Sequence, residues 1–280
     1  MKEYKQVLFK NVEDHGLFMD IFVPEDTENP PLIMWVHGGG WNALNRNWCL
    51  VTPQLQRGYA VASVDYRYCD EAPFPEVMRD LKDALLFLKK HGTEYGYDAS
   101  KIIASGDSAG GHLSSVLAVS AGNSDWEQPG EDYSVQALVD FCGPVSFTAL
   151  VPSEPGDRSP VGRVTWHALD DKGIRAKAAE ASAETYINGK EPPVLILHGS
   201  EDPMVNPSQA RAFRNALEAA GDAVHMYYVP GGKHGMSGEL LDGIVAEFLD
   251  YYIKGVITNI EPQLAPKDDR TVPVKDYPFA

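Results

Sequence analysis

Cysteine is scarce in this chain. Its three residues, Cys49, Cys69 and Cys142, are widely spaced and odd in number, which speaks against a disulfide framework and fits a reducing cytoplasm. Basic residues are also in deficit, with 24 Lys and Arg against 40 Asp and Glu, for a formal charge of −16. That balance argues against nucleic acid and anionic membrane surfaces as partners, because both are bound through clusters of positive charge. No apolar run is long enough to span a bilayer, and the charged start Met1-Lys2-Glu3-Tyr4-Lys5 lacks the apolar core of a secretory signal. The absences together lead to an expectation of a soluble, cytoplasmic protein.

What is present is a repeated alternation. Apolar runs at Leu17 to Val23, Leu32 to Val36, Tyr59 to Val64, Ile102 to Ala104, Ala137 to Phe141, Val194 to Leu197 and Val224 to Val229 predict strands. The first run is mixed, as suits a position toward a sheet edge, and the later ones are continuous, as suits central parallel strands. Between them, residues such as Val77, Met78, Leu81, Ala84, Leu85 and Leu88 recur at helical spacing. Strands alternating with helices predict an α/β fold with a doubly wound, mostly parallel sheet, formed by residues 1–257 as a single domain. The segment of about 146–187, rich in Pro, Gly, Asp and Ala, breaks the alternation and is expected to form a small lid of one or two short helices. A surface excursion without substrate contact is the competing reading. Residues 258–280, with four prolines among charges, read as an extended C-terminal arm that packs along the domain or reaches a neighbouring subunit of a homo-oligomer. The sequence leaves both open.

The chemistry concentrates where predicted strands end. Gly106-Asp107-Ser108-Ala109-Gly110 follows the apolar run Ile102-Ile103-Ala104 and has the form of a nucleophile elbow, a sharp turn with a hydroxyl at its apex. His37-Gly38-Gly39-Gly40-Trp41 follows another strand, and its glycines free backbone N–H groups to converge on a developing oxyanion. The runs ending at Leu197 and Val229 lead into His198-Gly199-Ser200-Glu201-Asp202 and Gly231-Gly232-Lys233-His234. A serine hydroxyl is a poor nucleophile at neutral pH, so it needs a histidine to take its proton and a carboxylate to fix that histidine's tautomer. His234 is the base; Asp202 is favoured over Glu201 as the acid by its spacing from His198-Gly199.

These motifs, with Asp65-Tyr66-Arg67, Phe74-Pro75 and Asp80 between them, resemble the α/β-hydrolase superfamily. Within it they are most similar to HGGG-containing esterases of the hormone-sensitive-lipase type and to their relatives acting on acetylated or feruloylated carbohydrates. The resemblance covers about residues 15 to 254. It implies Ser108 as nucleophile, Asp202 as acid, His234 as base, and an oxyanion hole from the N–H groups of Gly39, Gly40 and Ala109. It also implies no cofactor, no metal and a small-molecule ester as partner; Trp41, which follows the oxyanion glycines, is read either as core or as lining the acyl or alcohol pocket. Hormone-sensitive-lipase relatives usually carry a helical cap before the first strands, whereas some fifteen residues precede Leu17 here; with a short lid this leads to an expectation of a short acyl group, acetyl above all, while a sugar as its carrier is what the resemblance alone implies. Two alternatives differ in class: an aryl-formamidase using the same triad, and a non-catalytic receptor on the same fold.

Other residues have structural readings. His37 and His198 suggest a metal pair, but the resemblance makes them loop braces. Asp107 is expected to hydrogen-bond structurally, Arg67 and Asp80 to form an ion pair, Lys233 to be solvated, and Cys142 to be a small buried filler.

Overall fold

The computed structural model describes residues 1–122, 125–150, 162 and 171–256. Eight strands form one sheet in the order β1-β2-β4-β3-β5-β6-β7-β8: β1 (Lys2–Asn11), β2 (Gly16–Val23), β3 (Pro31–Val36), β4 (Ala60–Val64), β5 (Asp98–Asp107), β6 (Ala137–Phe141), β7 (Val194–Gly199) and β8 (Val224–Val229). From β4 across to β8 every pairing is parallel, and β1 and β2 join antiparallel at one side. The described helices are α1 (Glu76–Tyr95), α2 (Ala109–Val119), α3 (Asp171–Ala181), α4 (Ser208–Ala220) and α5 (Glu239–Lys254). This is the mostly parallel α/β sheet that the alternation predicts, in the α/β-hydrolase arrangement that the resemblance implies.

Each of the seven apolar runs coincides with a strand, the run from Tyr59 starting one residue before β4, because helices cover both faces of the sheet and uninterrupted apolar stretches suit burial on two sides. Side chains alternating along the strands feed two clusters, one holding Met34, Ala104, Leu113 and Ile196, the other holding Ile33, Trp35, Val139 and Phe248. The eighth strand, β1, is the correction to the sequence reading. Its Lys-Glu-Tyr-Lys-Gln start shows no apolar alternation, since β1 is the sheet edge and most of its side chains are exposed. The mixed run Leu17 to Val23 is thus one strand in from the edge.

An ion-pair cluster fixes this side of the molecule. Arg67 grips Asp80 through two bonds, Nε to Oδ2 at 2.8 Å and Nη2 to Oδ1 at 2.7 Å, as expected from sequence. The Arg67 backbone N–H adds a third at 3.2 Å, and Lys10 of β1 a fourth at 2.8 Å, to the fully buried Asp80. Of the expected lid, the described parts are a 3-10 turn at Thr148–Leu150, helix α3 and a second 3-10 turn at Ala183–Tyr186. The rest of that expectation and the arm at 258–280 lie outside the described residues.

Candidate active site

Parallel strands deliver their carboxyl ends to one rim of the sheet, and the sequence motifs all sit there. Ser108 follows β5 and caps α2 with φ +53° and ψ −119°, a strained conformation for a residue with a Cβ. Close packing holds it there. A Cβ on Gly106 would stand 2.4 Å from the Gly110 carbonyl oxygen, and one on Gly110 would stand 2.0 Å from that of Val36. Only glycine allows strand and helix to approach so closely. The Ser108 N–H donates to the Phe141 carbonyl at 2.8 Å, tying the turn to β6.

The Ser108 hydroxyl lies 2.8 Å from His234 Nε2, and His234 Nδ1 lies 2.7 Å from Asp202 Oδ2. Glu201, which competed for the acid position, is exposed, and its N–H binds the Gly232 carbonyl at 2.9 Å. The loops carrying acid and base are zipped together: a Cβ on Gly199 would come within 2.3 Å of the Gly232 carbonyl oxygen, and Gly231 N–H donates to Ser200 Oγ at 2.9 Å. Asp202 Oδ1 accepts from the N–H groups of Met204 and Val205 at 2.8 and 2.9 Å. Burial opposes its charge, yet bonds from His198, His234 and the Val205 N–H hold its pKa well below the ordinary carboxylate range. Burial likewise opposes a charged His234, but the bond and charge of Asp202, with a bond to Cys142, outweigh it and raise its pKa above the usual histidine value. Asp202 thus favours the imidazolium that forms when Ser108 gives up its proton.

The glycine loop after β3 is shaped from beneath. Asp107, beside the nucleophile, accepts the Gly38 N–H at 2.8 Å and the Trp48 indole N–H at 3.1 Å, so both its oxygens are engaged structurally. Burial raises its pKa to about 6. Because Gly38 spends its N–H on Asp107, the loop turns at Gly39 and Gly40, whose φ values are +103° and +59°. Ala109 is the first residue of α2, where an N–H has no acceptor within the helix. The Gly39-Gly40 turn follows β3 and Ala109 follows β5, and these two strands are neighbours in the sheet.

His37 stacks on Tyr66 with centroids 4.3 Å apart and donates from Nδ1 to the Gly38 carbonyl at 2.8 Å. His198 Nε2 donates to the Val205 carbonyl at 2.9 Å and stands 3.4 Å from Asp202 Oδ2. The two brace separate loops. Lys233 is exposed.

Trp41, expected as core or as a pocket-lining residue, is buried. The residue is 5% exposed and its indole N–H donates to His112 Nδ1 at 3.0 Å, while His112 Nε2 donates to the Ala181 carbonyl at 2.7 Å. Through these bonds it joins the loop after β3 to α2 and α3. Sequence reasoning missed His112 as the link between this loop and α3; its place one turn after Ser108 was the available signal. It also missed the position of Cys142. This thiol is buried as expected, but its Sγ, a ring nitrogen of His234 and a carboxylate oxygen of Asp202 all lie within 4.8 Å of one another.

Fold and triad geometry define the class: an α/β-hydrolase with a Ser-His-Asp constellation. Residues 19–217 match the BD-FAE family, and the chain belongs to that family of α/β-hydrolase-type esterases. The match includes Ser108 and Asp202 and ends before His234, which therefore rests on the geometry. Among curated proteins, a probable carboxylic ester hydrolase, LipM of Mycobacterium tuberculosis, is 32% identical over 68% of this chain and 46% of its own length. The chain spans about half the length of the curated relatives it matches first. A solved truncated carbohydrate esterase from gut microbiota superposes with TM-score 0.72 at 26% identity, covering 84% of this chain and 90% of that one. Esterase Est2 of Thermogutta terrifontis, solved with butyrate bound, gives TM-score 0.70 at 26% identity over 94% and 96% of the two chains; it has also been solved phosphorylated by paraoxon.

Proposed function

We propose that this chain hydrolyses carboxylic esters of short acyl groups, with an acylated carbohydrate as its substrate, through an acyl-enzyme on Ser108. The observation that carries the reading is the unbroken bond sequence Ser108–His234–Asp202 beside the Gly39-Gly40 turn and the start of α2. His234 Nε2 takes the hydroxyl proton as Ser108 Oγ bonds to the ester carbonyl carbon, and Asp202 stabilises the imidazolium. The oxyanion is held by the N–H groups of Gly39, Gly40 and Ala109. His234 then gives its proton to the departing alcohol as the C–O bond breaks. Water enters by the same base, the acid is released, and the serine is regenerated. Trp41 positions the oxyanion loop through His112. No cofactor takes part in these steps.

The short acyl group is supported by butyrate seen on Est2, and the sugar by the carbohydrate esterase likeness. The test is a chromogenic ester series run on the parent and on Ser108→Ala, followed by acetylated sugars and a formylated aromatic amine. Each buried methylene contributes about 0.8 kcal/mol, roughly fourfold in kcat/KM, until the pocket wall is met. Rates should peak at about two to four carbons and be nearly lost by about ten. Ser108→Ala should lower turnover by ~10⁴ to 10⁶, and an organophosphate should label the parent once, at Ser108. An optimum on long chains would replace the reading with a lipase, and faster cleavage of the formamide would replace it with a formamidase.

A further inference from the structure

Cys142 follows β6 with φ +48°, in the left-handed region that a side chain bearing a Cβ seldom adopts. It is 1% exposed, and burial raises its pKa, so at neutral pH the group is a thiol without the nucleophilicity of a thiolate. Its surroundings are unusual for a buried filler. Sulfur, imidazole and carboxylate converge within 4.8 Å, and no other group of three such ligands converges among the described residues. Thiolate with imidazole and carboxylate is a donor set suited to zinc and its softer neighbours, whereas magnesium and calcium prefer oxygen alone.

We infer that Cys142, His234 and Asp202 form a latent site for a soft divalent cation, Zn²⁺ or Cd²⁺, whose occupancy blocks the base. Ligand atoms around a four-coordinate zinc stand roughly 3.5 Å apart, so an outer limit of 4.8 Å asks for side-chain adjustments and no rearrangement of strands. One pair is already closer, at 2.7 Å between His234 Nδ1 and Asp202 Oδ2. The cation enters as the thiol proton leaves to solvent, with no change of oxidation state. Bound at Nδ1 it displaces the proton held by Asp202, which the ring takes up at Nε2 as it changes tautomer; bound at Nε2 it takes the lone pair that Ser108 needs. Either mode stops proton transfer, and Ser108 Oγ or water supplies the fourth ligand.

The inference uses the proposed esterase activity for one readout only, and a second readout is independent of it. In the first, ester hydrolysis by the parent is titrated with Zn²⁺ and then treated with a chelator. Inhibition and full recovery are expected, and Cys142→Ala and Cys142→Ser, each measured against its own uninhibited rate, should need ~100-fold more metal. In the second, Cd²⁺ is added to the parent, to Ser108→Ala and to Cys142→Ala while the ultraviolet thiolate-to-cadmium band is followed. The band should form in the first two and be missing from the third, with circular dichroism confirming that each variant is folded. Equal inhibition of the parent and both Cys142 variants, or a cadmium band that survives Cys142→Ala and so belongs to Cys49 or Cys69, overturns the site. If the band behaves as expected but Ser108→Ala still hydrolyses esters, the metal site stands and the serine mechanism falls.

Discussion

Glu201 and Asp202 are neighbours in sequence and opposites in environment: one is exposed, the other has its carboxylate fully buried and bonded on both oxygens. Asp202→Asn should lower kcat by about 10³ to 10⁴ with little change in KM, because the amide favours the wrong tautomer of His234. Glu201→Gln should stay within a few-fold of the parent, and steady-state kinetics on one ester decide between them. Asp202, His234 and Ser108 were legible because each follows an apolar run at a strand's end, where sequence order announces the chemistry. Cys142 and His112 were not. What matters about them is the residue they meet, and Trp41 meets His112 across a separation of 71 positions that no local pattern encodes.

Elements were legible wherever burial on two faces imposed an apolar run, and illegible where it did not. β1 escaped notice because an edge strand needs few apolar side chains. The elbow was legible as a motif, but the tolerances that enforce it come from packing. Gly110→Ala places a Cβ 2.0 Å from the Val36 carbonyl oxygen, so α2 must move away from β3. The variant should lose most of its folded yield and its activity, measured by soluble expression and thermal melting. Gly243 is the contrasting case, inside α5 with no atom within 4 Å of an added Cβ. Gly243→Ala should raise stability by about 0.5 to 1 kcal/mol through helix propensity and reduced chain entropy.

The whole molecule carries buried titratable groups of opposite sign. Burial lowers the pKa of His37 and His112 to about 4, so folding favours their neutral forms and loses stability as pH falls from 6.5 toward 4. Asp140, fully buried, is raised to about 7 by burial, and one of its oxygens has no partner. Its charge costs stability above pH 7, and that cost vanishes below the ordinary carboxylate value of 3.8. Asp140→Asn keeps an oxygen for the Gly143 N–H and removes the charge. The variant should melt higher than the parent at pH 8, by up to ~4 kcal/mol in stability, with the difference closing near pH 4. The histidines are common to both proteins and cancel from the comparison.

The bond between Ser108 and His234 spans 126 positions of chain. During synthesis the nucleophile therefore leaves the ribosome well before its base exists. Until β8 has joined β7 and carried the His234 loop onto the Asp202 loop, Ser108 is an ordinary alcohol. On the proposed mechanism, chains that lack the last strand have no base for Ser108, so ester cleavage requires a complete sheet.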